Sequence, residues 1–325
     1  MVRHSKSIAV THNKTFEPYV CVIGGSNIDI EGYPNTQLLL GDSNPGVVTT
    51  SLGGVGRNIA ENLVRLGIPT KFLSVVGDDA HGRRILDHAR AIGLDMEHTL
   101  VTDAPTSTYL SVLDAARDMH VGIAHMDILN QLDVAYLQQH ASMIQNARFC
   151  VVDTNLPEVL AYLVTAHDVP FVLDTVSAIK AKKAKHLIGY FHTIKPNKIE
   201  AEILSGISIQ TEQDLQRAGQ YFMEQGVRNT FITMGADGVY YKTKEYEGML
   251  AADPIDMVSA SGAGDAFVAG LVYGLWTRRT TIESATFAIG ASLMTIQSAE
   301  RINPNITSQH VDAMIRNIAL RNQKR

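Results

Sequence analysis

Short apolar runs alternate with helix-periodic stretches along most of this chain, and that alternation limits its fold more than any other feature. Strand-like runs fall at 19–23, 71–76, 149–153, 171–174, 192–195 and 230–234, with helical patterns between most of them. In 56–67, apolar Ile59, Leu63 and Leu66 recur at helical spacing and Gly67 supplies a stop; Ile85, Ala89 and Ile92 repeat the pattern before Gly93. Strands alternating with helices predict an α/β fold, a doubly wound and mainly parallel sheet flanked by helices. The chain has 325 residues, 45% hydrophobic and 19% charged, enough to bury a large core. Two stretches break the rhythm, 31–51 and 98–125, and in the second 108–113 and 119–123 read as paired strands. We read these as a small β lid inserted into the core. The expected organisation is a loose N-terminal tail (1–17), a core (18–30, 52–97 and 126–325) and a lid (31–51 and 98–125). Farther on, Ala236, Asp237 and Gly238 stand between β-prone residues as a hairpin turn.

A formal net charge of −5 offers no cationic surface to a polyphosphate backbone, so nucleic acid is not an expected partner. Small anions must be caught locally. The two cysteines, Cys21 and Cys150, sit in apolar strand-like runs where a free thiol acts as a small hydrophobe, a usage that fits a reducing cytoplasm. No apolar run reaches membrane-spanning length, and the first residues lack the apolar core of a signal peptide.

Near the C-terminal end, Ser261, Gly262, Ala263, Gly264 and Asp265 precede a helix-length apolar stretch. The glycines permit a sharp turn that lets the amides of Ala263, Gly264 and Asp265 converge on one oxyanion, strengthened by the helix dipole. A carboxylate beside a bound phosphate makes sense if it meets a hydroxyl attacking that phosphate, so the expected chemistry is phosphoryl transfer to an alcohol. Asp265, with an ordinary pKa of about 3.9 and a helix N-terminus favouring its charge, is expected to be ionised at neutral pH. An alternative is a glycine-rich turn with an acid in the first helical turn.

Three further clusters carry polar groups at element ends. Gly24 to Asp29 follows the first strand at the carboxyl edge of the sheet, and Asp29 could accept hydrogen bonds from vicinal sugar hydroxyls, or Asn27 and Asp29 could close an Asx turn. Gly53 and Gly54 in Leu-Gly-Gly-Val-Gly-Arg-Asn would let backbone approach a small ligand, with Asn58 one turn into the helix and Arg57 either functional or a solvated surface residue. The spacing is not a dinucleotide fingerprint. Asn197 and Glu200 lie three apart on one helical face, able to hold a hydrated magnesium ion or to form an ordinary capping box. Thr233, Gly235 and the Gly238 hairpin come at another strand end, compatible with a nucleotide lying across the edge.

In this order the elements resemble the PfkB or ribokinase family of carbohydrate and nucleoside kinases, over roughly 19–319. The resemblance is carried by Gly53 and Gly54, by Asn197 to Glu200, by Gly262 to Asp265 and by the β lid. Within the family the chain looks most like bacterial pseudouridine kinases, through Gly25-Ser26-Asn27-Ile28-Asp29, Asp42-Ser43-Asn44-Pro45-Gly46, Gly53 to Asn58 and Lys195-Pro196-Asn197. The resemblance implies an ATP- and Mg²⁺-dependent kinase for the 5′-hydroxyl of pseudouridine. Asp29, Asn27, Gly53, Gly54 and Asn58 would hold the ribose, Asn155 would stand where sugar kinases often have Glu, and Ser43 and Asn44 would reach the base. Asp265 would be the base, with Gly262, Ala263 and Gly264 as anion hole. Asn197, Thr233, Gly235, Gly238 and Ser261 would meet ATP, and Glu200 would act on the metal through water. Many relatives have Asp where Ser259 stands, an Asp that helps bind a monovalent cation, so Ser259 puts K⁺ activation in doubt. Other readings are a kinase for ribose or another ribonucleoside, and a non-catalytic nucleoside-binding regulator. An exposed lid edge could pair two subunits in a homodimer.

Overall fold

A computed structural model describes residues 17–252 and 255–322; all but Glu17 of the expected tail lies outside them. In chain order the strands are β1 (Val20–Ile23), β2 (Asn27–Pro34), β3 (Gly46–Gly53), β4 (Thr70–Leu73), β5 (Val75–Gly77), β6 (Leu100–Thr102), β7 (Thr108–Leu113), β8 (Met119–His125), β9 (Phe149–Asp153), β10 (Phe171–Asp174), β11 (Thr193–Lys195), β12 (Asn229–Thr233), β13 (Val239–Lys242) and β14 (Glu247–Leu250). Eight of them form one sheet in the order β14-β13-β12-β11-β10-β9-β1-β4. From β4 to β12 every pairing is parallel, and β13 and β14 add an antiparallel end.

The central strands read as unbroken apolar runs because they are covered on both faces. Side chains alternate between two cores: Cys21, Ile23, Cys150, Val152 and Leu173 enter one, while Val20, Val22, Phe149, Val151 and Val172 enter the other. The helices Val55–Arg65 and Ala263–Trp276 pack on the second face. Cys21 and Cys150 are register partners in adjacent strands and remain free, buried thiols. Truncating a fully buried member such as Leu173 to Ala would cost about 2–5 kcal/mol.

The run expected at 71–76 is two strands. β4 stops at Leu73, and β5 turns away to pair with β6. Between them Ser74 is fully buried, its hydroxyl 2.9 Å from that of Ser26, which bends the chain at a polar contact that an apolar run would not announce. The Gly67 and Gly93 stops are left-handed, and the turn at Gly235–Asp237 joins antiparallel β12 and β13. A second sheet, β3-β2-β7-β8, begins at Asn27 and runs to Gly53, so it reaches into segments assigned to the core from sequence; Leu100–Thr102 instead pairs with β5. β2 leaves the core while still buried at Asn27, Ile28 and Asp29, and this is why its first half has no lid signature. Among the described residues no helix is long and apolar enough to cross a membrane.

Candidate active site

Parallel pairing places the carboxyl ends of β1, β9, β10, β11 and β12 along one edge, where open α/β sheets bind ligands. Asp153, Asp174 and Lys195 are in register at the ends of β9, β10 and β11. Lys195 Nζ lies 3.0 Å from Asp174 Oδ2, both buried. Burial pulls the Lys195 proton affinity down, but Asp174, Glu200 and Asp265 outweigh it and hold it above its ordinary value. The lysine also lies under the late glycine turn: a Cβ on Gly264 would come within 3.2 Å of its ammonium.

That turn opens the helix Ala263–Trp276, capped by Gly262 at φ 79°. Its first intrahelical bond runs from Ala266 N–H to the Gly262 carbonyl at 3.0 Å, so the amides of Ala263, Gly264 and Asp265 have no partner in the helix. Gly262 is required here twice over. Its φ is left-handed, and a Cβ would run into the carbonyl oxygen of Arg301. Ser261 is exposed on the approach to this turn, its N–H donating to Ser259 Oγ at 3.2 Å.

Asp265 is 9% exposed, and Asn58 Nδ2 donates to its Oδ2 at 2.7 Å across the two packed helices. Its proton affinity departs from the sequence-based expectation of an ordinary carboxylate. Desolvation, then the charge of Asp174, pushes its pKa to about 7, against the opposing pull of Asn58 and Lys195. Burial by surrounding strand ends wins over the helix dipole. Burial also lifts Asp153 to about 6, and Asp153 Oδ2 has no hydrogen-bond partner among the described residues. The turn therefore meets the buried Lys195 ammonium, and burial raises the proton affinity of both Asp265 and its neighbour Asp153.

On the lid side, Asn27 Nδ2 donates to Asp29 Oδ1 at 2.8 Å, and Arg301 Nε meets Asp29 Oδ2 at 3.1 Å. Burial raises Asp29 above its ordinary value. The β2–β3 register sets Asn27 opposite Gly53, and a Cβ on Gly53 would strike the Asp29 carboxylate. Gly54, at φ 101°, abuts the Gly25 carbonyl. These two glycines thus answer first to close protein contacts. Arg57 is not a solvated surface group: it is 4% exposed and fully engaged, as described below.

At the β11–β12 part of the edge, a cavity of about 510 Å³ is lined by Asn197, Ile199, Thr233, Met234, Gly235 and Met249. Asn197 and Glu200 form a capping box, Asn197 N–H donating to Glu200 Oε2 at 2.8 Å and Glu200 N–H to Asn197 Oδ1 at 2.9 Å. Thr175 donates a further bond to Glu200 Oε2 at 2.5 Å, and Asn197 Nδ2 donates to Oε1 at 2.9 Å. With its oxygens so engaged, Glu200 suits a metal ion held through water and not a direct ligand role; among the described residues no cluster of three or more His, Cys, Asp or Glu could chelate one.

Several other sequence candidates are engaged by protein partners of their own. Gly238 serves the hairpin: it has φ 92°, and its carbonyl accepts from Met234 N–H at 2.9 Å. Ser43 and Asn44 sit on an exposed loop. The Asn44 amide is spent on that loop, accepting from Leu39 N–H and donating to the carbonyls of Leu39 and Asp42. Asn155 accepts from Lys180 and lines a separate cavity of about 440 Å³ with Leu129, Asp133 and Lys183. Sequence reasoning passed over Asp153, Asp174 and Arg301. The first two are strand-final acids after apolar runs, a pattern that marks the ligand edge of a parallel sheet; Arg301 carries no local signal.

Residues 17–308 match the profile described as pfkB family carbohydrate kinase. The chain is 38% identical over 303 residues to a pseudouridine kinase of Escherichia coli, covering 92% of this chain and 97% of that protein. A solved structure from Clostridium perfringens superposes with TM-score 0.86 at 38% identity, over 93% of this chain and 96% of that one. A ribokinase from Thermotoga maritima shares the fold, with TM-score 0.81 at 18% identity over 93% of this chain and 100% of that one.

Proposed function

The chain belongs to the pfkB family of carbohydrate kinases and is a sugar or nucleoside kinase, and on that premise we propose that it transfers the γ-phosphoryl group of ATP to the 5′-hydroxyl of pseudouridine. The observation that carries the transfer step is the placement of Asp265: a buried carboxyl in the first turn of a helix whose free amides point the same way, with Lys195 beneath the turn. The likeness to the Escherichia coli pseudouridine kinase supports the choice of nucleoside.

In this reading the ribose lies over Asp29, Asn27, Gly53, Gly54 and Asn58, which place its 5′-oxygen before Asp265. ATP lies along the cavity at Asn197, Thr233 and Gly235, its terminal phosphate at Gly262, Ala263 and Gly264. The 5′-oxygen bonds to the γ-phosphorus as the bond from phosphorus to the β,γ-bridging oxygen breaks. The hydroxyl proton passes to Asp265, and ADP leaves with the bridging oxygen. The transition state is loose, so positioning and charge neutralisation supply most of the acceleration, and the amides and Lys195 are the fixed charges available for it. Mg²⁺ brought by the triphosphate would meet Asn197 and Glu200 through its water shell and, when bound, neutralise charge on the phosphate oxygens.

A panel of pseudouridine, uridine, adenosine and ribose with ATP and Mg²⁺ tests the proposal. Pseudouridine should show the highest kcat/KM, by about tenfold or more, a discrimination within reach of one or two hydrogen bonds to the base. A higher value for another acceptor would move the substrate assignment to it, and no ADP release with any acceptor would favour a non-catalytic binding protein.

A further inference from the structure

Arg57 lies near the start of the helix Val55–Arg65 with its guanidinium buried and its donors aimed at four acceptors. Nε donates to the Gly53 carbonyl at 3.0 Å, Nη2 to the Leu52 carbonyl at 3.0 Å and to Asn58 Oδ1 at 2.6 Å, and Nη1 to Glu61 Oε2 at 2.6 Å. Glu61, 3% exposed, is itself held by Arg65 Nε at 2.8 Å and His88 Nε2 at 3.0 Å. Burying such a network is expensive, and apolar residues would pack a helix face at least as stably. The contact that an apolar residue could not replace is the one to Asn58. An asparagine amide has two ends of nearly equal shape, one accepting and one donating. A guanidinium only donates, so Arg57 forces Oδ1 towards itself and turns Nδ2 onto Asp265 Oδ2, 2.7 Å away.

We propose that Arg57, anchored by Glu61, is a positioning residue: it fixes the orientation of the Asn58 amide so that Asp265 meets a donor on one oxygen and keeps the other for the hydroxyl of the acceptor. The inference rests on the reading of Asp265 as base. The groups that face Asp265 come from every element around it: Asn58 from the early helix, Asp153, Asp174 and Lys195 from the ends of β9, β10 and β11, and Arg57 behind Asn58. The acids raise its proton affinity while Lys195 and the Asn58 hydrogen bond lower it. Without Arg57 the Asn58 amide is free to turn its carbonyl to Asp265 whenever that carboxyl is protonated and can donate to it; this added partner for the protonated form would make Asp265 hold its proton more tightly.

The test is a carboxyl-¹³C NMR titration of Asp265 in the wild-type protein, Arg57→Met and Arg57→Lys, with the signal assigned by its loss in Asp265→Asn. Alongside it, kcat and KM for pseudouridine and ATP are measured across pH. In Arg57→Met the Asp265 midpoint should rise by about 0.5–1 unit, kcat at pH 7 should fall roughly tenfold, and KM for ATP should stay within about twofold. Arg57→Lys keeps the charge and the stem but lacks the fork. It should fold where Met fails, and its midpoint should also rise. Arg57→Met also removes a charge near Asp265, so the Lys variant decides: a folded Arg57→Lys with an unshifted midpoint would overturn the inference, as would an unshifted Arg57→Met. The titration needs no turnover, so it decides on Arg57 even if pseudouridine proves not to be the acceptor.

Discussion

A group that takes a proton must first have lost its own, and burial lifts Asp265, the proposed base, to a pKa of about 7. The rate should therefore depend on pH in a way an exposed aspartate would not show. kcat/KM should rise with pH, about tenfold per unit below pH 7, and level off above it. A profile flat from pH 5 to 8 would remove Asp265 from the base role. Asp265→Asn should lower kcat by roughly 10²-fold or more, with little change in sugar affinity. The same shift has a sign for stability. The folded pKa is raised above the unfolded one, so between about pH 4 and 7 the native state binds the extra proton and stability falls as pH rises through that window. The variant, which carries no charge to bury, should melt higher than wild type at pH 8 by roughly 2–4 °C, with the gap closing towards pH 4. The position of Asp265 was legible in Gly-Ala-Gly-Asp, but its proton affinity was not. That is set first by burial and then by Asp174, Lys195 and Asp153, which surround it only when separate strands come into register.

Among the elements, strands covered on both faces were the easiest to read. Residues 149–153 and 171–174 match β9 and β10 end to end because burial on both sides demands a continuous apolar run. β3 escaped because it is exposed along most of its length and carries no alternation to detect. Turn glycines were readable as turns, but their reasons were tertiary, and this separates two of them in a testable way. Gly67 has φ 86°, and a Cβ there meets nothing within 4 Å; Gly262 has φ 79°, and its Cβ would meet the Arg301 carbonyl. Gly67→Ala should cost about 1–2 kcal/mol, the left-handed penalty alone, with kcat unchanged. Gly262→Ala should cost more and reduce kcat, because relief of the clash shifts the amides that open the helix. Thermal melts and initial rates on both variants check this; equal effects would mean that the anion turn tolerates displacement.

At the scale of the molecule, the second sheet and the main sheet are joined through β2, which starts just after β1 and continues as a strand of the second sheet, the proposed lid. Arg301 reinforces the join: its side chain reaches Asp29 and Glu31 on β2, while its carbonyl backs Gly262 in the anion turn. In the proposed arrangement, a sugar that engages Asp29 touches a strand tied to the turn that would hold the phosphate. Water competes with any alcohol acceptor and is always present, so a kinase of this design needs more than a base. It needs the acceptor oxygen held in line before the terminal phosphate, an advantage that can amount to about 7–11 kcal/mol in well-oriented cases, and it needs water kept out. In the proposed arrangement the acceptor spans Asp29 and Asp265, so without it attack by water should be slow even with ATP bound. ADP release without acceptor should run at least about 10²-fold below release with it. Arg301→Met, which unties β2 from the cradle, should narrow that ratio by weakening transfer more than hydrolysis. Equal ADP release with and without nucleoside in the wild-type protein would mean that the lid sheet plays no part in excluding water.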